Sequence, residues 1–330
     1  MEQVLKSCHL LDYREQFAKK GFDSIEALKF CRPYDCFLMG IEYEQAAPFF
    51  EWVSAQHPEI NQFFQSKISE TKPLATGDHV YLYTLSYDGD IKVAKVFHAS
   101  MVLQRKSPSE IQILYRLSHP RIVRFYTYSL NHPRYLILEK YSQNLHEWIM
   151  ENKEAKWNTK WILLVDILEA LHFLHHYDPP IIHRDLSSLN IMIHESRAYL
   201  IDFGLATFVH SQDIECMHGN PAYLPPERWK QQKVNTGVDV FAFGMILYEM
   251  WTGILPWANE STFKIRNHIL EGETPSFLAP QKYMDIVQQC WNYSESARPT
   301  TTQLLAYFKK ELFQLLGEPD LREIDKWKPK

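Results

Sequence analysis

The sequence predicts an α+β chain in three stretches, and the change of hydrophobic period along it carries that prediction. Residues roughly 5–56 repeat apolar side chains at helical spacing between short turns. From Leu74 to about Tyr135 the pattern becomes strand-like, with one helix around Pro108–Leu117. From Tyr135 helices dominate to about Phe313, and Gln314–Lys330 is a charged tail with little apolar surface to order it.

In the first stretch, Leu10, Leu11, Tyr13 and Phe17 make one apolar stripe, and Gly21 ends the helix that carries it. Phe22-Asp23-Ser24 offers a cap for a second helix holding Ile25 and Leu28. Pro33 and Gly40 punctuate the next turns. Pro48 to Gln56 brings Phe49, Phe50, Trp52 and Val53 onto the inner face of a closing helix. This unit is expected to span 1–57. Residues 58–73 are polar and read as a linker, with Phe63, Phe64 and Ile68 able to pack locally, and the main domain is expected over 74–313.

A chain of 330 residues with 45% hydrophobic content has material for two or three packed units. A net charge of −5 gives no general case for nucleic acid or anionic membranes. The five cysteines (Cys8, Cys31, Cys36, Cys216, Cys290) are scattered and odd in number, which predicts reduced thiols and a cytoplasmic setting. The first residues lack the pattern of a secretory signal. The longest apolar stretches, Trp161–Leu174 and Val238–Met250, are too short to span a bilayer and read as buried helices.

The chemistry concentrates in His183-Arg184-Asp185-Leu186-Ser187-Ser188-Leu189-Asn190, followed twelve residues later by Asp202-Phe203-Gly204. Asp and Asn are hard oxygen donors of the kind Mg²⁺ requires. Between the two motifs, Ile191-Met192-Ile193, a turn at His194–Arg197 and Tyr199-Leu200-Ile201 predict a strand pair that fixes both on one platform. The set resembles the eukaryotic protein kinase family, with its His-Arg-Asp, an Asn five residues beyond, and Asp-Phe-Gly. The resemblance implies a bilobal fold with a small β-rich lobe and a large helical lobe. It implies ATP and Mg²⁺, with Asp185 as general base or hydroxyl-orienting group and Asn190 and Asp202 as metal ligands. Arg184 gains a possible second role as a clamp on a phosphate in the activation segment. His183 and Phe203 read as core packing.

Further motifs fall in family order. Val93-Ala94-Lys95-Val96 resembles the strand whose lysine contacts the α- and β-phosphates, and Glu110 its helix partner. Fifteen residues separate the two, which is short for the family. Tyr135–Tyr141 resembles the strand and hinge that hold adenine, with Leu138 gating the pocket. Val80, Ala94, Glu139 and Tyr141 are therefore expected nucleotide contacts beside Lys95. Gly219-Asn220-Pro221 to Pro225-Pro226-Glu227 resembles the end of the activation segment, with Asn220 where Thr is usual and Pro225 where Ala is usual. Glu227 should pair with Arg298, and Asp239 should bind the catalytic-loop backbone. Thr207 and Ser211 are candidate phosphosites. Cys290-Trp291 followed by Arg298-Pro299-Thr300 resembles the tyrosine-kinase and tyrosine-kinase-like branches, and Gly219-Asn220-Pro221 looks closer to the latter, implying a Ser/Thr substrate hydroxyl with Tyr left open.

The pattern departs at the phosphate-covering loop. Counting back from Lys95 makes Val80 the loop's valine, and the three glycine positions then fall on Pro73, Ala75 and Asp78, with Gly77 out of register. Glycines let backbone approach phosphate oxygens closely. Their loss favours reduced activity, and an alternative reading is a pseudokinase that uses the fold as a scaffold or interaction switch. The N-terminal Leu10-x-x-Tyr13-x-x-x-Phe17-x-x-x-Gly21-Phe22-Asp23, with Leu28, Asp35, Leu38 and Gly40-Ile41, resembles a sterile alpha motif (SAM) domain. It departs from that family at Gln45-Ala46-Ala47, where a Gly and a basic residue are common. The resemblance implies self-association or hetero-association. Residues 1–60 hold six Lys/Arg against ten Asp/Glu, which argues against RNA. The expected partners are thus a protein substrate, ATP and a SAM-mediated partner, with no nucleic acid and no membrane span.

Overall fold

Turn residues cut the N-terminal helical run into short pieces. The computed structural model describes residues 1–57, 59–60, 63, 73–76, 80–97, 109–131, 134–209, 219–276 and 279–316. Helices α1 (Glu2–Ser7), α2 (Arg14–Lys19), α3 (Ile25–Leu28), α4 (Pro33–Leu38) and α5 (Tyr43–Ala55) form the opening bundle. A 3₁₀ turn over Leu11–Tyr13 splits the expected stripe: Leu10 and Phe17 are buried, whereas Leu11 is 41% exposed. Gly21 turns the chain after α2 at φ +85°. The Ser24 side chain caps α3 by accepting the Ala27 N–H at 3.1 Å. Helix α5 starts at Tyr43, five residues before the expected start, because Gln45 accepts the Glu42 N–H at 3.1 Å and caps it ahead of Pro48. Phe49, Phe50 and Val53 fill the bundle core.

The strand-like stretch gives β1 (Ala75–Thr76), β2 (Val80–Tyr87), β3 (Asp90–Phe97), helix α6 (Ser109–Leu114), β4 (Phe125–Ser129) and β5 (Tyr135–Leu138). Among the described residues the strands form an antiparallel sheet in the order β1-β2-β3-β5-β4. Asp88-Gly89 turns β2 into β3 with both φ positive (52° and 81°), the backbone that matches strand twist. One face of the sheet gathers Tyr83, Leu85 and Tyr87, Ala94 and Val96, and Tyr135 and Ile137. Ile60 and Phe63 pack onto that face, and Glu59 accepts the Asp88 N–H at 2.8 Å. The described part of 58–73 is therefore wall rather than linker, because its sparse apolar side chains find a hydrophobic face. Phe64 and Ile68 lie outside the described residues.

The bundle and this sheet belong to one compact unit, Met1–Ser118 with Val123–Lys140. Helix α5 runs along edge strand β4. Phe50 and Tyr128 rings lie 5.2 Å apart, the Ser54 and Thr127 hydroxyls 3.2 Å apart, and the Tyr128 hydroxyl donates to the Tyr43 carbonyl. The boundary expected at residue 57 thus does not separate packed bodies. An apolar face of α5 is covered by aromatic side chains of the sheet edge.

The second unit takes in His119–Ile122 and the chain from Tyr141. It holds β6 (Gln143–Asn144), α7 (Leu145–Glu151), α8 (Trp157–His175), β7 (Ile181–Ile182), β8 (Ile191–His194), β9 (Arg197–Leu200) and β10 (Thr207–Phe208). Helices α9 (Pro226–Trp229), α10 (Gly237–Thr252), α11 (Thr262–Leu270), α12 (Gln281–Cys290) and α13 (Thr301–Leu316) follow. Helices α8 and α10 are buried along much of their length and form the core, where Phe308 of α13 packs on Trp161 and Phe243 at ring distances of 4.7 and 5.6 Å. Gly244 lets Trp291 approach α10; a Cβ there would lie 2.6 Å from the indole. Helix α13 continues three residues past the expected domain end at 313, so Gln314–Leu316 are helix rather than tail. Among the described residues no helix is long and apolar enough to cross a membrane.

Candidate active site

Strand alternation decides which side chains share a face with Lys95. Lys95 stands opposite Leu82 of β2 and Leu136 of β5, and Val93 stands opposite Thr84 and Leu138. Val80, opposite Phe97, falls on the same face. The Lys95 ammonium lies 2.7 Å from Oε2 and 2.9 Å from Oε1 of Glu110, and both side chains are buried. Ala94 requires correction. Successive side chains point to opposite faces, so Ala94 points away from Lys95 into the Tyr83–Tyr135–Ile137 cluster. Val93 is the residue beside it that shares the Lys95 face.

At the end of the sheet, Leu138 is buried and Glu139 is held by neighbours. The Glu139 N–H donates to the Arg124 carbonyl at 2.9 Å, and its carboxylate takes Lys92 at 3.0 Å and the Tyr126 hydroxyl. Any base contact at Glu139 thereby falls to its carbonyl oxygen. Tyr141, in the second unit, stacks on Tyr199 with ring centroids 4.3 Å apart. Pro73 and Ala75 are described, and β1 pairs Ala75 with Leu82 and Thr76 with Tyr81. Gly77 and Asp78 lie outside the described residues.

In the second unit the predicted strand pair forms as β8 and β9, joined by a turn at Glu195-Ser196 with φ 48° and 60°. The Ile201 N–H donates to the Asn190 carbonyl at 3.0 Å, which ties the two motif ends together. Asn190 donates from Nδ2 to the Asp185 carbonyl at 2.8 Å and to Asp185 Oδ2 at 2.9 Å. The Asn220 N–H donates to Asp185 Oδ1 at 3.2 Å. Burial raises the Asp185 carboxyl above its ordinary range and the Asp202 charge adds to this, while His183, the Asn220 N–H and Asn190 oppose. Asp202 adopts φ 57°, and its Oδ1 accepts the Gly204 N–H at 3.2 Å. His183 Nε2 donates to the Ile201 carbonyl at 2.9 Å, and its ring meets buried Phe203 edge-on.

The catalytic loop hangs from Asp239. Its Oδ2 accepts the His183 N–H and its Oδ1 the Arg184 N–H, each at 2.9 Å, and His175 Nε2 donates at 2.9 Å. Burial alone would raise this carboxyl, but the His175 bond and charge and the nearby His183 outweigh it and hold it below its ordinary value. Glu227 and Arg298 form the expected pair, bidentate at 2.5 and 2.9 Å. Thr207 sits half-buried in β10 opposite Ile182, and Ser211 lies outside the described residues.

Two supports escaped the sequence reading. Gly219 has φ +116°, and a Cβ there would stand 3.2 Å from Asp185 Oδ1, so the glycine keeps the segment close to the carboxylate. The Tyr223 hydroxyl lies 3.1 Å from Ser188 Oγ and donates to Glu249 at 2.7 Å. The glycine two residues before Pro221 was the available signal for the first. The second pairs residues distant in sequence and left none.

This geometry agrees with an independent comparison: the protein kinase domain family matches residues 76–308. The chain belongs to the protein kinase family. A probable serine/threonine-protein kinase of Dictyostelium discoideum is 37% identical over 150 residues, covering 43% of this chain and 16% of that protein. Serine/threonine-protein kinase VIK of Arabidopsis thaliana is 29% identical over 215 residues, 61% of this chain and 49% of that protein. A putative serine/threonine-protein kinase/receptor of Acanthamoeba polyphaga mimivirus is 31% identical over 160 residues, 48% of this chain and 10% of that protein. The kinase chain thus spans no more than about half the length of these relatives.

Proposed function

We propose that this kinase transfers the γ-phosphoryl group of Mg·ATP to a serine or threonine hydroxyl of a protein, as a member of the tyrosine-kinase-like group. The observation that carries the reading is the held Asp185 carboxylate, fixed by Asn190 and the Asn220 N–H beside the Asp202 charge. Asp185 orients the attacking hydroxyl and takes its proton as the new P–O bond forms and the bond to the leaving β-phosphate oxygen breaks. Lys95, directed by Glu110, binds the α- and β-phosphates. Val80, Val93 and the Glu139 carbonyl line the base, and Tyr141 continues the hinge.

Asn190 and Asp202 fit a magnesium ion. The Asn190 amide nitrogen is committed to Asp185, which leaves its Oδ1 as a hard oxygen donor, and Asp202 supplies a carboxylate. When bound, Mg²⁺ neutralises charge on the phosphates. A second reading, a pseudokinase, is favoured by Pro73 and Ala75 at expected glycine positions of the phosphate-covering loop.

Asp185→Asn separates these readings. The variant should keep the wild-type melting temperature and lose phosphate transfer by roughly 10²–10⁴-fold. Equal autophosphorylation by wild type and variant refutes the role of Asp185. Stabilisation by Mg·ATP without transfer in the wild type favours the pseudokinase. The bundle is read as SAM-like and self-associating, supported by Phe30 and Leu38, 60% and 50% exposed. A full chain that sediments as a strict monomer at high concentration argues against that association.

A further inference from the structure

Helix α6 carries Glu110 in its first turn and runs directly into two residues held by the N-terminal bundle. The Tyr115 hydroxyl donates to the Ile41 carbonyl at 2.9 Å, and the side chain is fully buried. Its ring meets Phe37 and Tyr43 of the bundle and Tyr128 of β4 edge-on, at 6.5, 6.3 and 6.2 Å. Arg116 reaches Glu42 at 2.8 Å, donates to the Gln112 carbonyl at 2.9 Å, and lies over the Phe37 ring. One end of α6 is thus bound to Lys95 of the sheet, and the other to the Ile41–Tyr43 corner of the bundle. From Glu110 to Tyr115 the helical rise is only about 7.5 Å, too short to absorb a displacement by bending.

The bundle is anchored independently, since α5 lies on β4 through Phe50–Tyr128 and Ser54–Thr127. Tilting α6 therefore means breaking the Tyr115 hydroxyl bond or moving the bundle on the sheet. A tyrosine hydroxyl spent on a backbone carbonyl fixes both the height and the rotation of the helix end, which apolar packing alone leaves freer.

We propose that Tyr115 is a positioning residue for phosphoryl transfer: through its bond to Ile41 the N-terminal bundle holds α6 so that Glu110 directs Lys95. The bundle is then a built-in part of the catalytic unit as well as an appended module. The proposal rests on the reading of Lys95 and Glu110 as transfer machinery, and its test separates the two.

The test compares Tyr115→Phe, Glu110→Gln and the double variant in the full chain, by steady-state kinetics and by hydrogen exchange. Tyr115→Phe should lower kcat about three- to tenfold with KM for Mg·ATP nearly unchanged. In the Glu110→Gln background the same substitution should add little, because both act through one contact. Amide exchange over residues 109–114 should rise while that of β5 stays at the wild-type level. Glu42→Ala, at the exposed rim, should give a smaller effect of the same kind. Unchanged exchange over 109–114 in Tyr115→Phe overturns the proposal, as does a kcat loss that adds in full to that of Glu110→Gln. A wild type without transfer contradicts the functional reading instead, and the exchange result still decides whether the bundle holds α6.

Discussion

His119 illustrates how one buried ring sets a pH response. It stacks on Phe173 at 4.9 Å, and its Nδ1 accepts the Arg121 N–H at 3.2 Å. Burial lowers its pKa from 6.5 to about 4; Arg121 and His172 push the same way, and Glu169 opposes them. The folded state thus prefers the neutral ring, while the unfolded chain takes the proton near 6.5. Between those values the unfolded state binds more protons, so this group costs stability as pH falls from about 6.5 to about 4. His119→Gln should show a smaller drop in melting temperature than wild type over that window. Identical slopes for the two proteins contradict the assignment. At this scale the catalytic loop was legible, because Asp185, Asn190 and Asp202 lie within eighteen residues and a strand pair fixes them. Ala94 was not legible in the same way: the alternation of β3 that carries Lys95 to one face carries its neighbour Ala94 to the other.

Among the elements, a buried ion pair anchors the end of the activation segment. Glu227 and Arg298 are buried, and Arg298 also donates to the Gly237 and Asn292 carbonyls at 3.0 and 2.8 Å. Removing one partner leaves a charge uncompensated in the interior. Arg298→Ala should destabilise the second unit by about 3–5 kcal/mol. Urea unfolding checks this, and a change below about 1 kcal/mol would show the pair to be solvated. The pair was readable from the order of the kinase motifs, whereas β8–β9 and the cap at Ser24 were readable from local chemistry. The start of α5 was not, because the Glu42–Gln45 cap competes with the stronger visual signal of Pro48.

For the whole molecule, what the sequence hid was the joining of bundle and sheet into one unit. That union rests on contacts such as Tyr115–Ile41 and Ser54–Thr127, which lie more than seventy residues apart and follow no local period. The polar look of 58–73 suggested a tether, yet Ile60 and Phe63 pack on the apolar face of the sheet. The class of fold was legible from the change of period, and the family from motif order. Transfer of labelled γ-phosphate from ATP in magnesium buffer, wild type beside Asp202→Ala, asks whether this protein is a working kinase. Mg²⁺-dependent label on serine or threonine is expected for the wild type, with a loss of at least about 10²-fold in the variant. Equal labelling by both proteins, or a wild type that binds Mg·ATP and labels nothing, would contradict the proposed transfer.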